Sequence, residues 1–189
     1  MRLPSSAHTR QPWRIHDLTR DFRLEDVWQL PVELGPGDFP RLVETIASYD
    51  PAGSSLAVRA LFSVRLALGR LLGWDRDASG VGARVPTLRD RLSADLRDGA
   101  RGPDLGSGFR SIYLTDDEWA AEVANQTAHG VVHVGRVSDG DGRHRAQLAI
   151  LVKPNGLLGE VYMAAIKPFR HLVVYPQMLR EAERAWAHR

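Results

Sequence analysis

The sequence contains no cysteine among its 189 residues. Disulfide bonds, thiolate nucleophiles and thiolate metal ligands are therefore excluded, and no cysteine-based argument for an oxidising compartment remains. The first residues, MRLPSSAHTRQPWRIH, also lack the apolar run that a signal peptide requires. We expect a cytoplasmic protein.

The chain has little excess charge of either sign, since 25 basic residues stand against 23 acidic ones. Basic and acidic residues alternate, as in RDRLSADLRD, so no continuous basic stripe could neutralise a row of phosphates, and we expect no nucleic-acid partner. The most apolar stretch, residues 56–74, contains Arg59, Arg65 and Arg70, which is too many charges for a membrane span.

Several familiar site patterns are missing as well. No glycine-rich phosphate loop follows a predicted strand, no G-x-S-x-G marks a serine nucleophile, and no H-E-x-x-H marks a zinc site. We therefore predict neither a cofactor nor a metal. The length and the 43% hydrophobic content fit one domain over residues 1–189, with an N-terminal extension at 1–12 and a loop-rich insertion at 75–108.

The first half of the chain predicts one strand followed by two helices. Residues 21–32 mix branched and aromatic side chains and predict a strand. Residues 39–50 carry apolar side chains at helical spacing before Pro51, and residues 54–73 predict a second, longer helix between serine and glycine caps. Within the insertion, residues 87–98 predict one short helix.

The second half predicts antiparallel strands and a long terminal helix. The strands are expected at 109–115, 118–126, 129–138 and 143–154, joined by turns such as DGDG. One alternative stays open, because Thr115 and Glu118 have capping-box spacing and residues 118–130 could form a helix. The last helix is expected over 156–189, with a kink or break near Pro168 and Pro176.

This order of elements predicts an α+β helix-grip (START-like) fold. In that fold a curved antiparallel sheet wraps a long C-terminal helix, and two helices follow the first strand. Because the curved sheet keeps the helix from filling its concave face, a cavity is expected between them.

Longer segments carry a family resemblance. They are RLPSSAHT, DVWQLP, LAVRALFSVRLALGRLLG, DDEWAAEVANQTAHGVVHVG and KPNGLLGEVYMAAIKPFRHLVVYP. Together they resemble a bacterial family of uncharacterised proteins, domain of unknown function 2867, across nearly the whole chain. The resemblance implies membership of the START-like helix-grip (SRPBCC) superfamily and implies no established activity.

The stretch NQTAHGVVHVGRV contains two histidines four residues apart, His129 and His133. On a strand the two would share a face but lie about 13 Å apart, too far to chelate one metal ion. A hairpin turn centred on Gly140 and Asp141 would pair His133 with Leu148, Val131 with Ile150 and His129 with Val152. In that register the histidines share an apolar face that looks into the cavity, while Val132 and Val134 face solvent.

Two interpretations of these histidines stay open. Most buried polar side chains are merely hydrogen-bonded within the core, which is the simpler account. In the other, the imidazoles contact a ligand or transfer protons. The candidate catalytic residues are His129, His133, Glu122 and Asn125. The candidate ligand-binding residues are Tyr113, Thr127, Val131, Ile150, Tyr162, Lys167 and Arg170.

We therefore expect a module that binds an apolar or aromatic small molecule between the sheet and the C-terminal helix. The first alternative is a cofactor-independent cyclase, dehydratase or isomerase that uses the cavity histidines. The second is an interaction module, either a homodimer or a protein that docks a different chain. The cavity follows from the fold alone, whereas catalysis needs more, so binding is preferred.

Overall fold

A computed structural model of the chain describes residues 1–48, 80–106, 108–140 and 142–187. The predicted helix at 54–73 lies outside the described residues. So does residue 141 of the predicted hairpin turn.

Five strands form one curved, unclosed antiparallel sheet in the order β1-β5-β4-β3-β2. The strands are β1 Arg23–Leu34, β2 Arg110–Leu114, β3 Glu118–Ala124, β4 Ala128–Ser138 and β5 His144–Pro154. The predicted strands are thus confirmed within a few residues. The alternative helix at 118–130 is wrong, because its residues pair across the sheet as β3 and β4.

The described helices surround this sheet. They are α1 Ser6–Thr9, α2 Ile15–Leu18, α3 Phe39–Ala47, α4 Ala94–Asp98, α5 Gly156–Phe169 and α6 Tyr175–Ala187. A 3₁₀ turn, Leu88–Arg91, precedes α4. The helix predicted at 87–98 is therefore split, because Leu92 and Ser93 adopt extended backbone conformations between the two short elements.

The C-terminal helix is interrupted where the two prolines predict. A π-turn, Arg170–Val174, separates α5 from α6 and lies between Pro168 and Pro176. A proline removes a backbone N–H donor and crowds the preceding turn, which favours such irregularity. Only α6 packs across the sheet, where Met178, Leu179 and Trp186 join the core, whereas α5 leaves much of its apolar surface exposed.

The sheet separates two hydrophobic cores. We call one side the helix face, because α3 and α6 cover it with Phe39, Leu42 and Met178 over strand residues such as Val134 and Leu148. We call the other side the N-terminal face, because residues 1–22 and the segment 88–98 cover it. The C-terminal helix therefore covers one face only.

Residues 1–12, predicted as an extension, are tied to the sheet. The Leu3 amide donates to the Val27 carbonyl at 2.9 Å, which adds a backbone contact along β1. Next to this segment, the indole of Trp13 packs on Gly135 so closely that a Cβ there would lie 2.3 Å from the ring. The glycine is required because no side chain fits between the strand and the indole.

Candidate functional site

The β4–β5 hairpin has a longer turn than the sequence predicts. Ser138 pairs with His144, so five residues, 139–143, lie between the paired positions. Gly140 and Gly142 take positive φ angles of 79° and 75°, which glycine adopts without strain. The predicted register is therefore wrong by one residue.

A one-residue change in register moves every side chain of a strand to the other face. The observed pairs are His133 with Ala149, Val131 with Leu151, and His129 with Lys153. Val131 and Ile150, predicted as partners in one cavity wall, thus lie on opposite faces. Val132 and Val134 are buried on the helix face and do not face solvent.

The predicted orientation of the two histidines is also wrong, because α6 covers the opposite face of the sheet. His129 and His133 lie on the N-terminal face, away from α6, and are 4% and 0% exposed. They share that face with Glu122, Tyr113 and Val131, so the structure does bring five candidate residues to one side of the sheet. That side is closed by residues 1–22 and 88–98.

His133 belongs to a buried hydrogen-bonded chain. Its Nε2 lies 3.4 Å from Glu118 Oε2, and its Nδ1 lies 3.1 Å from Nε2 of His8. Glu118 also accepts from the hydroxyl of Tyr113 at 2.8 Å and from the amide of Arg14 at 2.8 Å. Because a carboxylate can only accept, neutral His133 donates through Nε2, and His8 must then donate to its Nδ1.

Burial keeps the hydrogen-bonded residues His8, His133 and Glu118 in one protonation state at neutral pH. Burial, together with His133 and His16, lowers the pKa of His8 to about 3. Burial likewise lowers the pKa of His133, although Glu118 acts in the opposite direction. Burial alone would raise the pKa of Glu118, but hydrogen bonds from His133 and the Arg14 amide outweigh it and hold that pKa below its usual value. Two neutral imidazoles therefore accompany one carboxylate.

His129 belongs to a second, separate network. Its Nε2 lies 2.8 Å from Oε2 of Glu122, a carboxylate that is 1% exposed. The same carboxylate accepts from the amide of Leu88 at 3.1 Å and from the hydroxyl of Thr87. This network fastens the start of the 3₁₀ turn to β3.

Asn125 and Thr127 shape the turn between β3 and β4. The side-chain oxygen of Asn125 accepts from the amide and hydroxyl of Thr127 and from the amide of Ala128, at 2.7–3.1 Å. This is the local pattern by which asparagine stabilises turns. The two residues thus have a structural role in the turn.

A cavity of about 280 Å³ lies on the helix face, between the sheet, α3 and α6. Its wall is largely aliphatic. The lining residues are Leu30, Thr45, Ile46, Ser48, Leu105, Val132, Leu148, Ile150, Met178, Glu181, Ala182 and Ala185. Of the candidate ligand-binding residues, Ile150 alone is part of this lining.

The polar side chains of the cavity wall already make hydrogen bonds within the protein. The hydroxyl of Thr45 donates to the Arg41 carbonyl at 2.9 Å, and that of Ser48 donates to the Thr45 carbonyl at 2.9 Å. Glu181 accepts a hydrogen bond from the side-chain amide of Gln177 at 3.1 Å. Since both hydroxyl protons are used by the backbone, the wall selects mainly by shape and apolar contact.

A third polar cluster fastens the C-terminal helix to the edge strand. Asp26 of β1 has a fully buried side chain and accepts from His171 Nε2 at 2.5 Å and from the Tyr175 hydroxyl at 2.9 Å. Arg170 lies 3.5 Å from the same carboxylate and 3.4 Å from Glu25. Arg170 therefore helps to hold the C-terminal helix on β1 and is not part of the cavity lining.

The remaining candidates lie on α5. Lys167 is exposed and Tyr162 is half-buried, and neither belongs to the cavity lining. The sequence analysis did not identify His8, Glu118 or Asp26 as site residues. The strand that contains Asp26 also carries Arg23, Glu25 and Glu33, so local sequence gives no specific signal for the buried carboxylate.

Among the described residues, no group of three or more histidine or acidic side chains has an arrangement that could hold a metal ion. No helix in the described parts of the chain is both long enough and apolar enough to span a lipid bilayer.

Comparison with known proteins identifies the family. The family model described as "Protein of unknown function (DUF2867)" matches residues 18–177, and the chain therefore belongs to that family. No curated protein and no solved structure matches the chain.

Proposed function

We propose that this member of the DUF2867 family binds an apolar or aromatic small molecule in the cavity between the sheet and α6. The observation that carries the proposal is the cavity itself, about 280 Å³ in volume and walled mainly by aliphatic side chains. Ligand pockets in proteins are typically concave, mostly apolar and about 300–1,000 Å³ in volume. This cavity lies just below that range and suits a compact ligand.

The size and chemistry of the wall indicate the ligand class. An apolar cavity of about 150 Å³ is enough to hold benzene, so a cavity nearly twice that size suits a fused two-ring molecule. Leu148 and Ile150 form the floor on the sheet, and Met178 faces them from α6. Methionine adapts its shape to aromatic groups, and its sulfur contacts ring edges favourably.

The strand order supports assigning the chain to the helix-grip (START-like) architecture. The first strand pairs with the last, and the C-terminal helix follows that last strand and packs on the sheet. Such folds commonly hold a ligand between the sheet and the terminal helix, which agrees with the site proposed here. A cytoplasmic location is also part of the proposal and rests on the sequence alone.

The catalytic alternative receives less support. His129 and His133 lie on the face opposite the cavity and are hydrogen-bonded to the buried carboxylates Glu122 and Glu118. A general base must come within hydrogen-bond reach of its substrate, directly or through one water. Ligand binding needs only the cavity, so the geometry favours a binding function over a catalytic one.

Calorimetric titration with naphthalene and indole tests the proposal. We expect saturable binding, with a rise in the unfolding temperature, because a ligand at ten times its Kd stabilises the folded state by about 1.4 kcal/mol. Ala182→Phe would fill the cavity from α6 and should weaken binding at least tenfold.

Ala187→Phe is the matched control, since it adds the same ring at an exposed position of the same helix and should leave binding unchanged. Absence of binding by both probes, or equal binding by folded Ala182→Phe and the parent chain, would refute the proposal.

A further inference from the structure

Helix α5 has an exposed apolar face that nothing in the described chain covers. Five large side chains of α5 and the following turn are between 50% and 79% exposed: Leu157, Leu158, Val161, Phe169 and Leu172. Ala164, Ala165 and Pro168 are exposed beside them. Such a contiguous patch is uncommon on a monomer and marks an interaction surface.

These side chains lie on one side of the helix. At 100° per residue, positions 157, 161, 164, 165 and 168 of α5 fall within one arc, and 158 and 169 both lie at one edge of it. Leu172 follows in the π-turn. The other side faces the β3–β4 turn and the end of β5. There, Gly159 approaches so closely that a Cβ would lie 2.1 Å from the Thr127 carbonyl, and Met163 is buried.

The exposed face has no charge. The two charged residues of α5, Glu160 and Lys167, both lie on one flank of it, and Glu160 is held by Arg23 of β1 at 2.8 Å. The apolar stripe could therefore be buried without burying a charge.

The stripe is nearly symmetric about its centre. Leu157 and Leu172 are the same number of residues from the midpoint between Ala164 and Ala165, and so are Val161 and Pro168. An interface related by a two-fold axis must be complementary to itself. A stripe with leucines at both ends and two alanines in the middle meets this condition when two copies run antiparallel, because the alanines allow the helices to approach closely at the axis.

We propose that the α5 stripe is the interface of a homodimer in which α5 of one copy packs antiparallel on α5 of a second copy. In this arrangement Ala164 and Ala165 of the two copies meet at the two-fold axis. This inference is independent of the proposed ligand.

The exposed area is adequate for such an interface. At roughly 100 Å² for each large exposed side chain plus the smaller ones, the stripe amounts to about 600 Å² per copy, and on the order of 1,200 Å² for the pair. Specific interfaces begin at about this size.

Charge also favours the antiparallel arrangement. A two-fold axis perpendicular to the helices places the same flank of both copies on one side of the interface. The two helices run in opposite directions along that side. Glu160 of one copy then lies near Lys167 of the other, within about one helical turn along the axis. A parallel arrangement would not bring these opposite charges together.

Cysteine cross-linking tests the proposal cleanly, because the chain has no cysteine of its own. Under mild oxidation, Ala165→Cys should form a disulfide-linked dimer, since position 165 lies at the axis. Leu157→Cys alone should not, whereas an equimolar mixture of Leu157→Cys and Leu172→Cys should cross-link. Ser138→Cys is the control at an exposed position on the far hairpin.

Sedimentation equilibrium of the unmodified chain gives a second measurement. We expect a dimer, and Ala165→Arg should raise its dissociation constant at least tenfold, because two like charges would meet at the axis. Ala165 is exposed, so circular dichroism should show an unchanged fold.

A chain that sediments as a monomer at 100 µM and cross-links at 165 no faster than at 138 would overturn the proposal. Self-cross-linking of Leu157→Cys would overturn the antiparallel arrangement. A monomer that floats with phosphatidylcholine vesicles would overturn the dimer and assign the stripe to a lipid surface.

Discussion

His8 and His133 are separated by 125 residues in sequence, yet their rings share a hydrogen bond of 3.1 Å in a site that water does not reach. His8 donates this bond, so its remaining nitrogen, Nδ1, is a buried acceptor with no partner among the described residues. The N-terminal segment is thus fastened to β4 by two imidazoles that must stay neutral.

We predict that the protein loses stability as the pH falls below 6.5. In the unfolded chain His8 takes up a proton near its ordinary pKa of 6.5, whereas in the folded chain its pKa is about 3. The unfolded state therefore binds more protons between these values, and the free energy of unfolding decreases throughout this interval. The lowered pKa values of His133 and Glu118 act in the same direction. Urea unfolding at pH 7.5, 6, 5 and 4 measures the loss, which should reach several kcal/mol.

His8→Phe isolates the contribution of this residue. The phenyl ring cannot take up a proton, so the variant should lose less stability than the parent chain between pH 6.5 and 4. The parent should be the more stable of the two near pH 8, because the variant leaves His133 Nδ1 without its donor. An identical pH dependence in both proteins would contradict the assignment.

Glu122→Gln should loosen the 3₁₀ turn. The carboxylate accepts from the amide of Leu88, the hydroxyl of Thr87 and the ring of His129, and a glutamine amide group offers one oxygen in place of two. We expect a loss of about 1–3 kcal/mol in the free energy of unfolding and faster tryptic cleavage after Arg89 and Arg91. Glu33→Gln, an exposed change on β1, should alter neither measurement.

Asp26→Ala should detach the C-terminal helix from β1. It removes the acceptor shared by His171 and Tyr175 and leaves the partly buried Arg170 facing Glu25 alone. Removing one partner of a buried charged cluster costs about 3–5 kcal/mol. Urea unfolding measures this loss.

Asp21→Ala is the control for this prediction. It breaks ion pairs with Arg91 and Lys153 that are more than a third exposed, and it should cost no more than about 1 kcal/mol. Equal losses in the two variants would show that burial of Asp26 does not matter.

Gly135→Ala should destabilise the packing of the N-terminal segment. The new methyl group would lie 2.3 Å from the indole of Trp13, which can move away only by leaving its site on β4. Overpacking of this kind costs about 1–3 kcal/mol. Gly130→Ala is a control within the same strand, because its nearest neighbour is 3.8 Å away. A change in tryptophan fluorescence for the first variant and not the second would confirm the contact.

The individual elements could be predicted from local sequence. Alternation of apolar side chains predicts β3, β4 and β5, and helical spacing predicts α3, because both periodicities depend only on residues a few positions apart. The irregular turn in the C-terminal helix follows from Pro168 and Pro176. Even the grouping of His129, Val131 and His133 on one face of β4 was correct, since it depends on alternation alone.

The candidate site depended on longer-range facts. The hairpin after Ser138 is longer than its DGDG signal suggests, and that single residue exchanged the faces of β5. Nothing local indicates that residues 1–22 cover one face of the sheet, or that α6 covers the other. The prediction therefore assigned the histidines to the wrong side.

The sequence by itself determined the five strands, α3 and the α+β class, because local periodicity and turn residues act within one element at a time. Tertiary structure alone decided that His133 faces Glu118 and His8, that Asp26 meets His171, and that the cavity is walled by Val132 and Ile150 and not by Val131. Those contacts join residues far apart in the chain, and their geometry is set by strand register and by which segment covers which face of the sheet.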